Sequence, residues 1–131
     1  MLYEYQLRTE RENFYNITEQ VRAAAEQSGV RDGICVVCCP HTTAGITINE
    51  NADPDVVRDM LLGLGETFGK RPAFRHAEGN SDAHLKASAM GSSTTVILDN
   101  GRLALGTWQG IYFCEFDGPR TRKFYVKVLR G

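Results

Sequence analysis

Three histidines carry most of the chemistry this sequence can offer. His76 and His84 flank a polar run in "RHAEGNSDAH", and His41 stands in "PHTTAG". Within the run, Gly79 lets the backbone turn closely, while Asn80, Ser81 and Asp82 suit a turn that opens a helix. A helix start leaves N–H groups pointing outward, so this turn is a cradle for an anion such as phosphate. It is not a P-loop, because the Gly-x-x-x-x-Gly-Lys-Ser/Thr pattern is absent. The eight-residue gap from His76 to His84 matches no zinc-knuckle spacing. His41 sits at the junction of two expected strands, with Asn49 and Glu50 closing the second. Folded together, three imidazoles and a carboxylate would hold Zn²⁺ or another transition ion, whereas substrate phosphate oxygens would favour Mg²⁺. Unfolded from one another, they are polar loops. The residues alone leave both readings open.

A second polar cluster lies in "GRLALGTWQGIYFCEFDGPRTRK". Its apolar letters read as core strands, but Trp108, Gln109 and Glu115 near strand ends suit a pocket wall. An uninterrupted strand would put Trp108 and Glu115 on opposite faces, and a bulge near Gly110 would change that parity. Arg120 and Arg122 follow a Gly–Pro turn and suit either phosphate or ordinary ion pairs. Ser81, Ser88, Thr42 and Thr43 offer hydroxyls, but no nucleophile elbow or catalytic order accompanies them.

The elements that must position these groups follow from local signals. "YEYQLRT" alternates as a strand. "NITEQVRAAAEQSG" reads as a helix, with Asn16 and Glu19 as a capping box, Gly29 as the stop, and Ile17, Val21, Ala24 and Ala25 as its apolar stripe. "DGICVVCC" is a buried strand, with "AGITINE" expected as its neighbour. Cys35 and Cys38 then point to opposite faces, so the C-x-x-C neither chelates nor bridges, and Cys114 joins them as an inert core thiol. Asp53 and Pro54 open a second helix whose buried face is Val57, Leu61 and Leu64. A short helix runs from about Asp82 to Gly91. The strands "STTVILD", "LALGTW", "GIYFCEF" and "KFYVKVLR" follow, with Asn100–Gly101 and "DGPR" as turns. Helices early and an antiparallel meander late indicate an α+β domain with largely antiparallel β-sheet layers and short helices.

The chain is 131 residues long, with 42% hydrophobic and 24% charged residues, which suits one compact domain over 1–131. Fifteen Lys and Arg against sixteen Asp and Glu give no basic surface that calls for nucleic acid. No apolar run reaches the roughly 18–20 residues of a membrane span. Four cysteines without an export signal point to reduced thiols and a cytoplasmic setting.

Taken in order, "PHTTAGITINEN", "HAEGNSDAHLKAS" and "GRLALGTWQGIYFCEFDGPRTRK" closely resemble the small bacterial and archaeal YjbQ family over nearly the whole chain. The resemblance implies a compact α+β fold, a homotrimer and a secondary thiamine-phosphate synthase activity. It makes His41, His76 and His84 the centre of a metal- or anion-binding pocket, with Glu50, Asn80, Trp108, Gln109, Glu115 and Arg120 at further pocket positions. Four expectations result. The protein is a trimeric single domain. His41, His76 and His84 surround a divalent metal supported by Glu50 and Asn80, Zn²⁺ if static and Mg²⁺ if catalytic. Gly79–His84, including Ser81 and Asp82, receives a phosphate with Arg120. The reaction joins a hydroxymethylpyrimidine diphosphate to a thiazole phosphate, with His41, His84, Glu50 and Arg120 as the catalytic set. A metal-assisted phosphate-ester hydrolase and a non-enzymatic anion- or metabolite-binding trimer are the rival readings.

Overall fold

The computed structural model describes all residues from 1 to 131 and builds them into three layers. The strands are β1 (Leu2–Thr9), β2 (Asn13–Asn16), β3 (Gly33–Cys38), β4 (Ala44–Glu50), β5 (Ser93–Asp99), β6 (Arg102–Leu103), β7 (Gln109–Glu115) and β8 (Arg120–Arg130). The helices are α1 (Thr18–Ser28), α2 (Pro54–Thr67) and α3 (Ser81–Met90). One antiparallel sheet has the order β1-β8-β3-β5-β6, the other β2-β7-β4. The two sheets and α1 enclose the main core, where Val37, Ile46, Phe113 and Phe124 meet Ile17 and Val21. Each such buried side chain stabilises the fold by about 1.5–3 kcal/mol. The far face of the smaller sheet, through Tyr112 and Cys114, is covered by Ala83 and Ala87 of α3 and by α2. Strand β7 is therefore buried on both faces, which explains its unbroken run of apolar letters. The fold is the α+β domain that the pattern of elements predicts, and no helix is long and apolar enough to cross a membrane.

Four local expectations need correction. Strand β4 is not the neighbour of β3, because β5 and β8 occupy both of its edges. Instead residues 39–43, with Pro40 lacking a backbone donor, carry the chain across to the other sheet. Of "LALGTW" only Leu103 lies in a strand, with Arg102 before it, and Ala104 N adds one bond to Ile97 O at 2.8 Å before the turn at Gly106–Gln109 draws the backbone away. Asn16 Oδ1 does satisfy Thr18, accepting from its N–H at 3.0 Å and its hydroxyl at 2.6 Å, but Glu19 turns to Arg22 rather than completing a box. Finally, Val57, Leu61 and Leu64 are only half-buried, because α2 lies on the surface with one side open. Its Asp53 cap accepts from Asp55 N at 2.9 Å, as the Asp-Pro start predicts. All four cysteines are free; burial pushes the Cys35, Cys39 and Cys114 thiols up, which suits inert core groups.

Candidate functional site

The crossover from β3 to β4, the start of α3 and the start of β8 meet at one end of the sandwich. Between them lies a cleft of about 380 Å³ whose wall is polar apart from Pro40. His41 and Thr43 come from the crossover, His76 and Glu78 from the loop before α3, Asn80 and His84 from its first turn. Arg120 and Arg122 come from β8. The three histidines thus share one cleft, although 43 residues separate His41 from His84.

The cleft rests on a buried ion pair. Arg122 donates from Nε to Glu115 Oε1 at 2.7 Å and from Nη2 to Oε2 at 2.5 Å. Its Nη2 also reaches Thr43 Oγ1 at 2.9 Å. Glu115 is fully buried and accepts further bonds from the Thr9 hydroxyl at 2.6 Å and the Asp117 N–H at 2.9 Å. Burial raises the Glu115 pKa, but the bonds from Arg122, Thr9 and Asp117 and the Arg122 charge outweigh it, leaving the carboxyl below its ordinary value. Every lone-pair direction of this carboxylate is engaged within the protein. Glu115 holds Arg122; it does not face a ligand.

A second carboxylate, Asp117, orients the rim. Its Oδ2 accepts from Asn80 Nδ2 at 2.7 Å and from Arg120 Nη2 at 2.9 Å, while its carbonyl accepts from Arg120 Nε at 2.9 Å. Burial alone would raise the Asp117 pKa, yet these bonds and the two arginine charges carry it below its ordinary value. The same contacts leave Asn80 Oδ1 buried without a partner.

His41 is fixed by the backbone. Its Nε2 accepts the Lys123 N–H at 3.0 Å, which is compatible only with an unprotonated Nε2. The hydrogen bond therefore assigns the neutral ring its proton at Nδ1. Burial, then the neighbouring Arg122 charge, holds the His41 pKa below its ordinary value. His41 is a neutral N–H donor to the cleft. His76 and His84 lie edge to face with ring centroids 5.4 Å apart, and His76 Nε2 is 3.9 Å from Glu78 Oε1.

No three His, Cys, Asp or Glu side chains stand close enough to form a ligand set. His41 has filled its Nε2 with a hydrogen bond, while His76 and His84 pair with each other and have the Glu78 carboxylate 3.9 Å from His76. Nor is the cleft strongly cationic. Two guanidiniums, Arg120 and Arg122, face three carboxylates, Glu78, Asp117 and Glu115. What the cleft offers a ligand is therefore a set of oriented N–H donors rather than a strong net positive charge.

The other expected site residues divide sharply. Gly79 does turn with φ +72°, but its N–H donates to His76 O at 3.0 Å and its carbonyl accepts Lys70 Nζ at 2.6 Å. The Ala83 and His84 N–H groups go to Asn80 O, and Asp82 pairs with Lys70 at 3.4 Å. Ser81, like Asp82, opens α3 without lining the cleft. Within Gly79–His84 the N–H groups of Gly79, Ala83 and His84 are thus spent inside the turn. Glu50, Trp108 and Gln109 lie elsewhere. Glu50 opposes Gln109 while Ala44 opposes Glu115, so six residues of strand, about 20 Å at about 3.3 Å per residue, separate them from the cleft. Trp108 precedes β7 and is 62% exposed, so no bulge is needed to set its direction. Gln109 Oε1 accepts from Gly106 N at 2.8 Å, and the Glu50 carbonyl accepts the Tyr112 hydroxyl at 2.9 Å. Sequence reasoning missed Thr9 and Asp117, whose partners are distant in the chain or read as a simple turn.

Comparison with known proteins covers both the fold and the cleft-bearing segments. The family model described as "UPF0047 protein YjbQ-like" matches residues 3–131. UPF0047 protein YugU of Bacillus subtilis is 55% identical over 122 residues, covering 92% of each chain. A UPF0047 protein of Methanocaldococcus jannaschii is 54% identical, covering 98% of this chain and 94% of its own. A crystal structure from Clostridium acetobutylicum, described as an uncharacterized conserved protein of the family, superposes with a TM-score of 0.95 at 60% identity, over 97% of this chain and 99% of that one. A protein of unknown function from Sulfolobus solfataricus gives a TM-score of 0.95 at 32% identity, over 100% of this chain and 97% of that one.

Proposed function

For a chain that belongs to the YjbQ-like UPF0047 family, we propose an enzyme that binds a diphosphate ester in the histidine–arginine cleft and displaces its pyrophosphate. The reading is thiamine-phosphate synthesis from a hydroxymethylpyrimidine diphosphate and a thiazole phosphate, in the cytoplasm and as a homotrimer. One observation carries it: a cleft walled by polar side chains apart from Pro40, in which His41, Arg120 and Arg122 are each held by a second group so that their N–H donors have fixed directions. Donors fixed before reaction stabilise developing charge without reorganising when it appears.

The chemistry asks for little else. The bond from the pyrimidine methylene to the diphosphate oxygen breaks, and its electron pair leaves with pyrophosphate. The thiazole nitrogen lone pair forms the new C–N bond, so no proton transfer is needed at either centre. Negative charge grows on the departing oxygen, where His41 Nδ1–H and the free edge of Arg120 donate. His84 and His76 stand across the cleft to orient the diphosphate. His41 is unsuited to act as a base, since Nδ1 holds its proton and Nε2 is occupied. That weakens a hydrolase reading in which His41 activates water. A divalent ion brought in with the diphosphate would supply the positive charge that the nearly balanced cleft lacks, leaving His41, Arg120 and Arg122 as the directional donors.

The test supplies purified protein with both precursors and Mg²⁺ and follows thiamine phosphate by mass spectrometry. Product that is lost in a folded His84→Ala variant supports the reading. Phosphate release without coupling would establish the hydrolase instead, and binding without turnover the metabolite-binding protein. Light scattering over a range of concentrations tests the trimer, which a constant monomer mass would contradict.

A further inference from the structure

The polar cleft continues into a second compartment of different character. This groove, about 500 Å³, shares His41, Thr42 and His84 with the cleft and then runs between the end of α3 and β4. Its floor is made by Ala44, Ala87 and Gly91, and no Asp, Glu, Lys or Arg lines it. The close approach of the two elements keeps the floor low. Ile46 N donates to Gly91 O at 3.0 Å, and a Cβ at position 45 would lie 2.6 Å from that same carbonyl. Ser88 and Ser92 stand along the walls with hydroxyls unengaged by the rest of the chain.

We propose that this groove receives the ring of a ring-bearing phosphate ester whose phosphates occupy the polar cleft. A floor of two alanines and a glycine offers a shallow surface against which a flat ring can lie face-on. The Thr42, Ser88 and Ser92 hydroxyls meet the ring edge, where heteroatoms accept or donate hydrogen bonds. The absence of charged side chains suits an uncharged organic group and gives phosphate no partner there. The bond between ring substituent and phosphate then lies at the seam between His41 and His84, the two imidazoles common to both compartments. Residue 88 becomes a specificity determinant: exposed, near the helix end and outside the core, it can be enlarged without disturbing packing.

This inference rests on the diphosphate-binding reading above, and the experiment separates the two. Wild-type protein, Ser88→Tyr and Ser88→Ala are titrated by calorimetry with inorganic pyrophosphate and with hydroxymethylpyrimidine diphosphate. The wild type is expected to prefer the ring-bearing ligand by about tenfold or more, as ring burial of about 1.4 kcal/mol requires. Ser88→Tyr is expected to lose that preference while keeping pyrophosphate affinity within about twofold, and Ser88→Ala to retain most of both. Equal affinity of the wild type for the two ligands, or an undiminished preference in Ser88→Tyr, overturns the groove assignment while leaving the phosphate cleft standing. Failure of pyrophosphate itself to bind the wild type overturns both. A retained ring preference without synthesis of thiamine phosphate overturns the reaction alone.

Discussion

Replacing Glu115 by Gln tests the support beneath the cleft. The substitution keeps side-chain shape but removes the charge that Arg122 faces. Arg122 is 5% exposed, so water cannot replace the carboxylate charge, and the guanidinium keeps only neutral acceptors, the Thr43 oxygens and the amide oxygen of the new side chain. Breaking one partner of such a buried pair costs about 3–5 kcal/mol. At about 2.1 cal/mol/K per residue, unfolding entropy for a chain of this length is roughly 0.28 kcal/mol/K, so the melting temperature should fall by roughly 10–18 °C. Thermal unfolding followed by circular dichroism at neutral pH measures this directly. The double variant Glu115→Gln/Arg122→Met should recover much of the loss, because it removes the stranded charge as well. The effect also has a defined pH dependence. The Glu115 carboxyl titrates below its ordinary value in the folded protein, so its stabilisation is present above the unfolded pKa and disappears as pH falls through the folded one. The gap between wild type and Glu115→Gln should therefore close on acidification. A shift of less than about 3 °C, or a double variant no more stable than the single one, would refute the reasoning.

Three further outcomes follow from the same geometry. Long-range ¹H–¹⁵N spectra should show His41 as the Nδ1–H tautomer with a pKa below that of an unperturbed imidazole; an Nε2–H tautomer would contradict the Lys123 contact. Its linkage has the opposite sense to a stabilised imidazolium: as pH drops, the unfolded chain takes up a proton that folded His41 resists, so stability falls. Gly45→Ala should cost about 1–3 kcal/mol in urea unfolding, because the added methyl would meet the Gly91 carbonyl, and an unchanged midpoint would show that the α3 end yields freely. Glu12→Gln should cost about 1–3 kcal/mol by the same assay, since Lys86 is 5% exposed at its side chain and meets the Glu12 carboxylate at 2.8 Å; no loss would mean that this lysine finds water.

Much of the fold was legible because it is written locally. Asp53–Pro54 opens α2, Gly29 closes α1 in the left-handed conformation, and Asn100–Gly101 turns with both φ angles positive. The site was legible only in part. Residue types drew attention to His41, His76, His84, Asn80 and Arg120, and the fold gathers all five into one cleft. Partnership was harder to see. Glu115 and Thr9 are 106 residues apart, and only the pairing of β1 with β8 brings Thr9 beside Arg120. Glu50 and Gln109 look equally suited to a pocket by type, yet strand register carries them to the opposite end of the sandwich. Sheet exchange between β3 and β4 was similarly hidden, because two adjacent buried strands do not reveal whether they share a sheet.

The central claim is that the histidine–arginine cleft receives the phosphates of a small molecule. Titration of ¹⁵N-labelled protein with inorganic pyrophosphate, with and without Mg²⁺, tests it most directly. Shifts should concentrate at residues 41–43, 76–84 and 120–123. An unresponsive cleft, or shifts confined to the separate cleft at Arg22 and Arg102, would contradict the account.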